Sequence, residues 1–367
     1  MTIPRSGANI PPRALLGSWP TPLEPAPRLA RALGLGPDDL WIKRDDLTGL
    51  GGGGNKIRKL EWTCGAALAD GATVLVTTGA PQSNHARLTA AAGARLGLKA
   101  VLVLAGGPAA PDAGAPGADP AGARPPGSPA KAPSAASAPP ASGNLALDGL
   151  FGAQVVWAGD REYLDARAAR TVEELRARGE VPALVPFGGS SALGARGYAE
   201  CARELLDQAP DLANVVVALG SGGTMAGLVA GLGAARVLGV HVGAVADPAR
   251  VVAELASELS GTPCDPRSLR VRRDQVGAGY ATLTEPVMRA LTLAARAEGI
   301  VLDPIYTGRA MAGLVAAVED GDITPGQRTV FLHTGGLPGF FGHPAAVARA
   351  EAELLGPPDS PLPAPTP

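Results

Sequence analysis

The chain has 367 residues, 46% hydrophobic and 18% charged, which fits a globular protein too large for one small core; two domains with a ligand cleft between them are expected. A formal net charge of −2 with no Lys/Arg-dense stripe argues against a nucleic-acid partner, and no run approaches the ~20 apolar residues of a membrane span. The cysteines Cys64, Cys201 and Cys264 lack C-x-x-C spacing, against a disulfide framework or zinc site, and Met1 to Arg13 lacks a secretory apolar region, so a reduced cytoplasm is the expected home.

The first chemical signal along the chain is Gly51-Gly52-Gly53-Gly54-Asn55-Lys56-Ile57-Arg58-Lys59, a glycine-rich loop that delivers Lys56 onto the first turn of a helix. Glycines admit φ > 0 and a close approach of the backbone to a bulky group. A lysine at a fixed helical position suits a Schiff base with an aldehyde; a mobile loop with surface lysines is the other reading of this stretch alone. Lys59 follows at i+3 on the same helix face, placed to share one anionic ligand.

Short apolar runs then alternate with helical patterns. Strands are predicted over Thr73–Thr78, Ala100–Leu104, Gln154–Trp157, Asn214–Leu219, Val240–Val245 and Thr329–Leu332, with helices over Ala86–Leu96, Leu164–Arg178, Tyr198–Gln208 and Pro286–Glu298. This is the pattern of parallel β-α-β units, whose chemistry collects at the carboxyl ends of the strands. From Gly106 to Ser142 the sequence is almost wholly Ala, Pro, Gly and Ser, and it reads as a disordered surface insertion; residues 358–367 read as a similar tail.

Three strand ends carry polar motifs. Gln82-Ser83-Asn84-His85 precedes a helix that Ser83 or Asn84 caps, leaving free N–H groups for a substrate carboxylate, with His85 read as a hydrogen-bonding residue at the helix start. Gly220-Ser221-Gly222-Gly223-Thr224 reads as a phosphate cradle in front of an apolar helix. A dinucleotide site is the competing reading, although Met225 stands where its third glycine belongs; Asp247 would then hold the ribose. His333-Thr334-Gly335-Gly336 again sets a hydroxyl at a strand end. Tyr280 and Tyr306 lie in Gly- or Pro-flanked clusters, either as packed loop aromatics or facing a ligand, and the four histidines show no metal-ligand spacing.

In this order, the Lys56 loop, Gln82-Ser83-Asn84-His85, the Ser221–Gly227 turn, Tyr306-Thr307-Gly308-Arg309-Ala310-Met311 and His333-Thr334-Gly335-Gly336 closely resemble one family. It is the D-cysteine desulfhydrase and 1-aminocyclopropane-1-carboxylate deaminase family of pyridoxal-phosphate enzymes. The resemblance implies a two-domain α/β fold like the tryptophan synthase β chain (fold type II), with open, mostly parallel sheets and helices on both faces. It places residues 1–60 and 190–357 in a larger cofactor-binding domain and 61–189 in a smaller one carrying the insertion. Pyridoxal 5'-phosphate would be the cofactor, a small amino acid the substrate and a homodimer the assembly.

By the same resemblance Lys56 would hold the cofactor aldehyde and Lys59 its phosphate, cradled by Ser221, Gly222, Gly223 and Thr224. Asn84 would bond the pyridoxal 3′-oxygen, Ser83 the substrate carboxylate, and Thr334 would sit near the pyridine nitrogen. Tyr280 and Tyr306 would face the substrate or the ring, while His85 and Thr307 would complete the substrate pocket. The deaminase branch has a carboxylate where this chain has Thr307, leucine in place of Thr334 and glutamine in place of His85, so the resemblance favours β-elimination from D-cysteine to hydrogen sulfide, pyruvate and ammonia. Sulfonate or chloride leaving groups, as in an L-cysteate sulfo-lyase, cyclopropane opening, an NAD-linked oxidoreductase and a non-catalytic binding protein stay open at this stage.

Overall fold

In the computed structural model, which describes residues 11–107 and 142–354, two sheets divide the strands. The larger contains β1 (Leu23–Pro25), β2 (Leu40–Arg44), β7 (Asn214–Leu219), β8 (Val237–His241), β9 (Arg270–Arg272) and β10 (Thr329–His333) in the order β1-β2-β10-β7-β8-β9. The smaller contains β3 (Val74–Gly79), β4 (Lys99–Leu104), β5 (Gln154–Trp157) and β6 (Pro182–Val185) in the order β5-β4-β3-β6. Of the strand pairs within the two sheets, β1 with β2 is antiparallel and the others are parallel.

The helices are α1 (Pro27–Ala32), α2 (Lys56–Ala69), α3 (Asn84–Leu96), α4 (Asn144–Leu150), α5 (Leu164–Ala177), α6 (Ala192–Gln208), α7 (Gly223–Leu232), α8 (Pro248–Ser260), α9 (Glu285–Glu298), α10 (Thr307–Glu319), α11 (Leu337–Phe341) and α12 (Pro344–Ala352). Alternation along β7 shows why both faces are covered: Val216 and Ala218 pack with α1, α9 and α10, whereas Val215, Val217 and Leu219 pack with α6, α7 and α8. In the smaller sheet Val74 and Val76 meet Leu164, Ala168, Val172 and Leu175 of α5. On the other face Leu75 meets Ile57, Leu60 and Cys64 of α2 and Leu88 of α3.

Several expectations shift. Strand β8 ends at His241, earlier than Val240–Val245 implied, and β2 and β6 lie where none was predicted. In β2 the pattern is masked by Lys43, which is fully buried because its Nζ donates to Thr21 O, Glu204 Oε2 and Gln208 Oε1. Pro182 opens β6, which it can do because β6 is an edge strand. The expected domain boundary after residue 60 lies within α2, which runs from Lys56 to Ala69 as one helix. Most of the insertion and the whole tail lie outside the described residues, but Gly106 is ordered and bridges Gly159, which trims the expected disordered insertion. Burial pushes the Cys64 and Cys201 thiols up to about 12, which leaves them inert as nucleophiles.

Helix α2 carries Lys56, and its rotation is fixed by a buried ionic knot. Arg58 Nε donates to Asp45 Oδ2 at 2.8 Å and Nη1 to Glu204 Oε1 at 2.8 Å, while the Tyr198 hydroxyl donates to Asp45 Oδ2 at 2.6 Å. Burial pushes the Asp45 carboxyl up, but the charge and hydrogen bonds of Arg58 outweigh it and hold the group below its ordinary value. Removing Arg58 leaves a buried carboxylate alone, so Arg58→Met is expected to lower stability by roughly 3–5 kcal/mol in urea unfolding. Because the folded-state value of Asp45 is depressed, the stabilisation is fully present above the unfolded value of about 3.9 and is lost as the pH falls through the folded one. The gap between wild type and variant therefore narrows on acidification, and a gap that widened would contradict this assignment.

Candidate active site

A pocket opens where the carboxyl ends of the two sheets meet. Its wall combines Lys56 and Lys59 of α2, Ser83, Asn84 and His85 after β3, Phe187 and Gly188 after β6, Gly220 to Gly222 and Thr224 after β7, Tyr306, and Thr334 and Gly335 after β10. The glycine loop is locked against the last of these. Asn55 N donates to Thr334 O at 3.0 Å, and a Cβ on Gly335 would come within 2.7 Å of Gly54 Cα. Gly53, at φ 71°, would place a Cβ 1.9 Å from Asp46 O.

Lys56 opens α2 with its Nζ donating to Asn55 Oδ1 at 2.8 Å and lying 5.9 Å from the centre of the Tyr306 ring. Burial, countered by the charge of Asp303 and helped by that of Arg87, brings its amine down to about 8. Lys59 is fully buried; its Nζ donates to Gly188 O and Ser190 Oγ, both at 3.2 Å, and no carboxylate among the described residues pairs with it. Burial, then the charge of Lys56, holds its amine well below the ordinary lysine value. Such a site favours a bound anion strongly, since a negative group would offset the desolvation of the ammonium.

The anion-binding donors stand beside it. Ser190 Oγ lies 2.7 Å from Ser221 Oγ and accepts from Gly223 N at 3.1 Å, at the positive end of α7. Thr224 Oγ1 accepts from Asn55 Nδ2 at 3.0 Å, tying this turn to the lysine loop. Gly188 has no room for a side chain, because a Cβ there would fall 2.1 Å from Ser221 Oγ.

Ser83 is the cap of α3, its Oγ accepting from Ala86 N at 3.1 Å. His85 pairs through Nε2 with Thr77 Oγ1 at 2.9 Å, while its Nδ1 is buried with no protein partner. Burial, with the charges of Lys56 and Lys59, keeps this ring neutral, its pKa well below the ordinary histidine value. Tyr306 and Tyr280 share a 2.6 Å hydrogen bond, and burial raises both phenols, so they stay protonated. Tyr280 and Gly223 are outside the lining itself: Tyr280 bonds to Tyr306 of the lining, and Gly223 N donates to Ser190 Oγ.

Thr307 departs from expectation. It is fully buried and outside the pocket lining, and its Oγ1 donates to Asp303 Oδ1 at 2.7 Å, so the hydroxyl that was expected to meet substrate is committed elsewhere. Asp303 itself has no role in the sequence reading. Its carboxylate accepts from Ile305 N, Tyr306 N and Thr307 N at 2.9–3.0 Å and sets the backbone that presents Tyr306; Asp-Pro before a helix is the available signal. Ser190 was missed because the strand before it was missed. Asp247 caps α8 through Arg250 N at 3.2 Å, a structural use of the residue that a ribose reading needs.

Comparison with known proteins agrees with this geometry. Residues 14–335 match the family described as pyridoxal-phosphate dependent enzyme. The D-cysteine desulfhydrase of Klebsiella pneumoniae is 40% identical over 342 residues, covering 90% of this chain and 96% of the relative. A Pyrococcus abyssi protein provisionally named 1-aminocyclopropane-1-carboxylate deaminase is 36% identical over 344 residues, covering 90% and 93%. A crystal structure described as an ACC deaminase homologue superposes with TM-score 0.76 at 34% identity, covering 93% of this chain and 97% of that one. The chain belongs to the pyridoxal-phosphate dependent enzymes, within the group of D-cysteine desulfhydrases and 1-aminocyclopropane-1-carboxylate deaminases, and its fold is fold type II.

Pyridoxal phosphate is the cofactor of this family, and the residues present fit it: an amine of lowered basicity at one end of the pocket, and a carboxylate-free buried ammonium with a helix N-terminus at the other. In protein stripped of cofactor, acylation of Lys56 followed by peptide mass spectrometry is expected to accelerate through about pH 8. Acceleration only near about 10.4, the ordinary lysine value, would contradict the desolvated amine.

Proposed function

We propose that this chain is a D-cysteine desulfhydrase, eliminating thiolate from D-cysteine to yield hydrogen sulfide, pyruvate and ammonia. The observation that carries the reading is the Lys56 amine, held at about 8 in a pocket that also presents the hydroxyls of Ser83, Tyr306 and Thr334 and, among its lining residues, no carboxylate. An amine of that basicity is matched to removing a Cα proton near neutral pH. Pyridoxal phosphate, when bound, supplies the electron sink that makes that proton acidic.

The chain's own residues then have defined tasks. The N–H groups at the start of α3, with the Ser83 hydroxyl, receive the substrate carboxylate. Lys59, Ser221, Gly222, Gly223 and Thr224 hold the phosphate, and the Asn84 amide orients the ring through its 3′-oxygen. Lys56 takes the Cα proton, the Cα–H pair becomes the Cα–Cβ double bond, and the C–S pair leaves with sulfur; the 2-aminoacrylate that is released then takes up one water from solvent to give pyruvate and ammonia. Tyr306, whose hydroxyl is shared with Tyr280 and stays protonated, is the hydrogen-bond donor proposed to stabilise the departing thiolate. Thr334, which carries no hydrogen bond from its hydroxyl among the described residues, offers the ring nitrogen a neutral partner.

The relative named D-cysteine desulfhydrase, at 40% identity, supports this reading. One observation favours the deaminase alternative: Asp303 places a buried carboxylate whose charge is felt at Lys56, where the resemblance alone suggested none. Its oxygens are already taken by four donors, which leaves it little capacity to engage a ligand.

A panel of D-cysteine, L-cysteine, β-chloro-D-alanine, L-cysteate and 1-aminocyclopropane-1-carboxylate, assayed for pyruvate and 2-oxobutyrate, separates the readings. Pyruvate with hydrogen sulfide from D-cysteine is expected, and 2-oxobutyrate from the cyclopropane as the main product would overturn it. Lys56→Ala is expected to lower kcat by about 10³-fold or more while leaving the phosphate site intact; near-normal turnover would refute its role as the base.

A further inference from the structure

One fully buried cation has no part in the chemistry above. Arg87, on the first turn of α3, donates from Nη1 to Gly51 O, and from Nη2 to Gly53 O at 3.2 Å and Asn84 Oδ1 at 3.3 Å. Gly51, Gly52, Gly53 and Gly54 all lie at positive φ, so the loop in front of Lys56 is built from residues with little conformational preference of their own. Arg87 is the side chain that reaches across this loop, and a Cβ on Gly52 would come 3.0 Å from its Nη1.

Behind Arg87 lies α4. Asn144 N donates to Gln82 Oε1 and Asn144 Nδ2 to Gln82 O, each at 2.9 Å, so the start of α4 braces the turn that carries Ser83 and Asn84. One turn further on, Asp148 is fully buried with neither carboxylate oxygen hydrogen-bonded, and Arg87 Nε is likewise unpartnered. The two groups are in each other's field: burial pushes Asp148 up to about 7, with Arg87 opposing, and brings Arg87 down to about 10, with Asp148 opposing.

We propose that Arg87 is a positioning residue for the reaction: its guanidinium ties the carbonyls of the glycine loop to the Asn84 amide, so that Lys56 and Asn84 keep one fixed separation, with Asp148 as its buried counter-charge. A guanidinium suits this task because its planar fork bonds several acceptors in fixed geometry, whereas an ammonium presents a point charge. Its charge has a second effect, since it disfavours the ammonium form of Lys56. Asp303, Lys59 and His85 also interact electrostatically with Lys56 and are unchanged in every variant below. The inference rests on the tasks proposed for Lys56 and Asn84.

The test uses Arg87→Lys, Arg87→Met and Asp148→Asn in the full chain, with circular dichroism to confirm folding. Two readouts are independent of turnover: the Kd of pyridoxal phosphate for cofactor-stripped protein, and the pH midpoint of Lys56 acylation. Arg87→Lys is expected to weaken cofactor binding by about tenfold or more, the loss of one charge-assisted hydrogen bond, while keeping the low Lys56 midpoint because the charge stays. Arg87→Met is expected to weaken binding similarly and raise the midpoint. Asp148→Asn is expected to leave the midpoint unchanged or lower it. Wild-type cofactor affinity in a folded Arg87→Lys would overturn the positioning role, and an unmoved midpoint in a folded Arg87→Met would overturn the electrostatic one. If Arg87→Met fails to fold, Asp148→Asn decides the electrostatic arm: a raised midpoint overturns it. A wrong substrate assignment would show in the amino-acid panel and leave both readouts as expected.

Discussion

Helix α2 places three cationic side chains, Lys56, Arg58 and Lys59, in its opening turn, the end of a helix where positive charge is least welcome. Among the described residues, Arg58 alone of the three has carboxylate partners, Asp45 and Glu204. Lys56 and Lys59 are left with neutral acceptors in a desolvated setting, and both amines are pushed below their ordinary value. The protein alone therefore leaves an electrostatic demand that an anionic, aldehyde-bearing cofactor meets at both ends. The paired arginine makes this possible, because it fixes the rotation of the helix that aims the two unpaired lysines at the pocket.

The rest of the architecture converges on that helix. The larger sheet contributes the phosphate turn after β7 and the Thr334-Gly335 segment after β10; the smaller contributes Ser83-Asn84-His85 after β3 and Gly188 after β6. Around the site several approaches are so close that glycine is required: Gly53 against Asp46 O, Gly188 against Ser221 Oγ and Gly335 against Gly54 Cα. The glycines of the Lys56 loop let neighbouring segments dock closely on it, Gly52 against Arg87, Gly53 against Asp46 O and Gly54 against Thr334 O. Burial opposes ionisation of the Tyr306 and Tyr280 phenols, whereas it brings the Lys56 amine down to about 8.

Much of this was legible in the sequence, for a physical reason. Polar and glycine motifs at the carboxyl ends of apolar strands stand out from an Ala-, Val- and Leu-rich chain, so Lys56, Ser83, Asn84, Ser221, Thr224 and Thr334 could be picked out before any coordinates. Side-chain direction was less visible. Thr307 is one residue from Tyr306, yet its hydroxyl turns back four residues to Asp303, a local bond that competes with any ligand. Ser190 was hidden by an edge strand that opens with proline, and β2 by a buried lysine whose partners come from Thr21 and α6. Arg87 reads as an ordinary helix residue until the loop that it holds is folded over it.

Lys56, and not its neighbour Lys59, is the amine proposed to hold the cofactor. Reduction of the protein loaded with pyridoxal phosphate by borohydride, followed by peptide mass spectrometry, tests it directly. One equivalent of reduced cofactor fixed to Lys56, with Lys59 unmodified, is expected; label on Lys59, or none on either, would contradict that assignment.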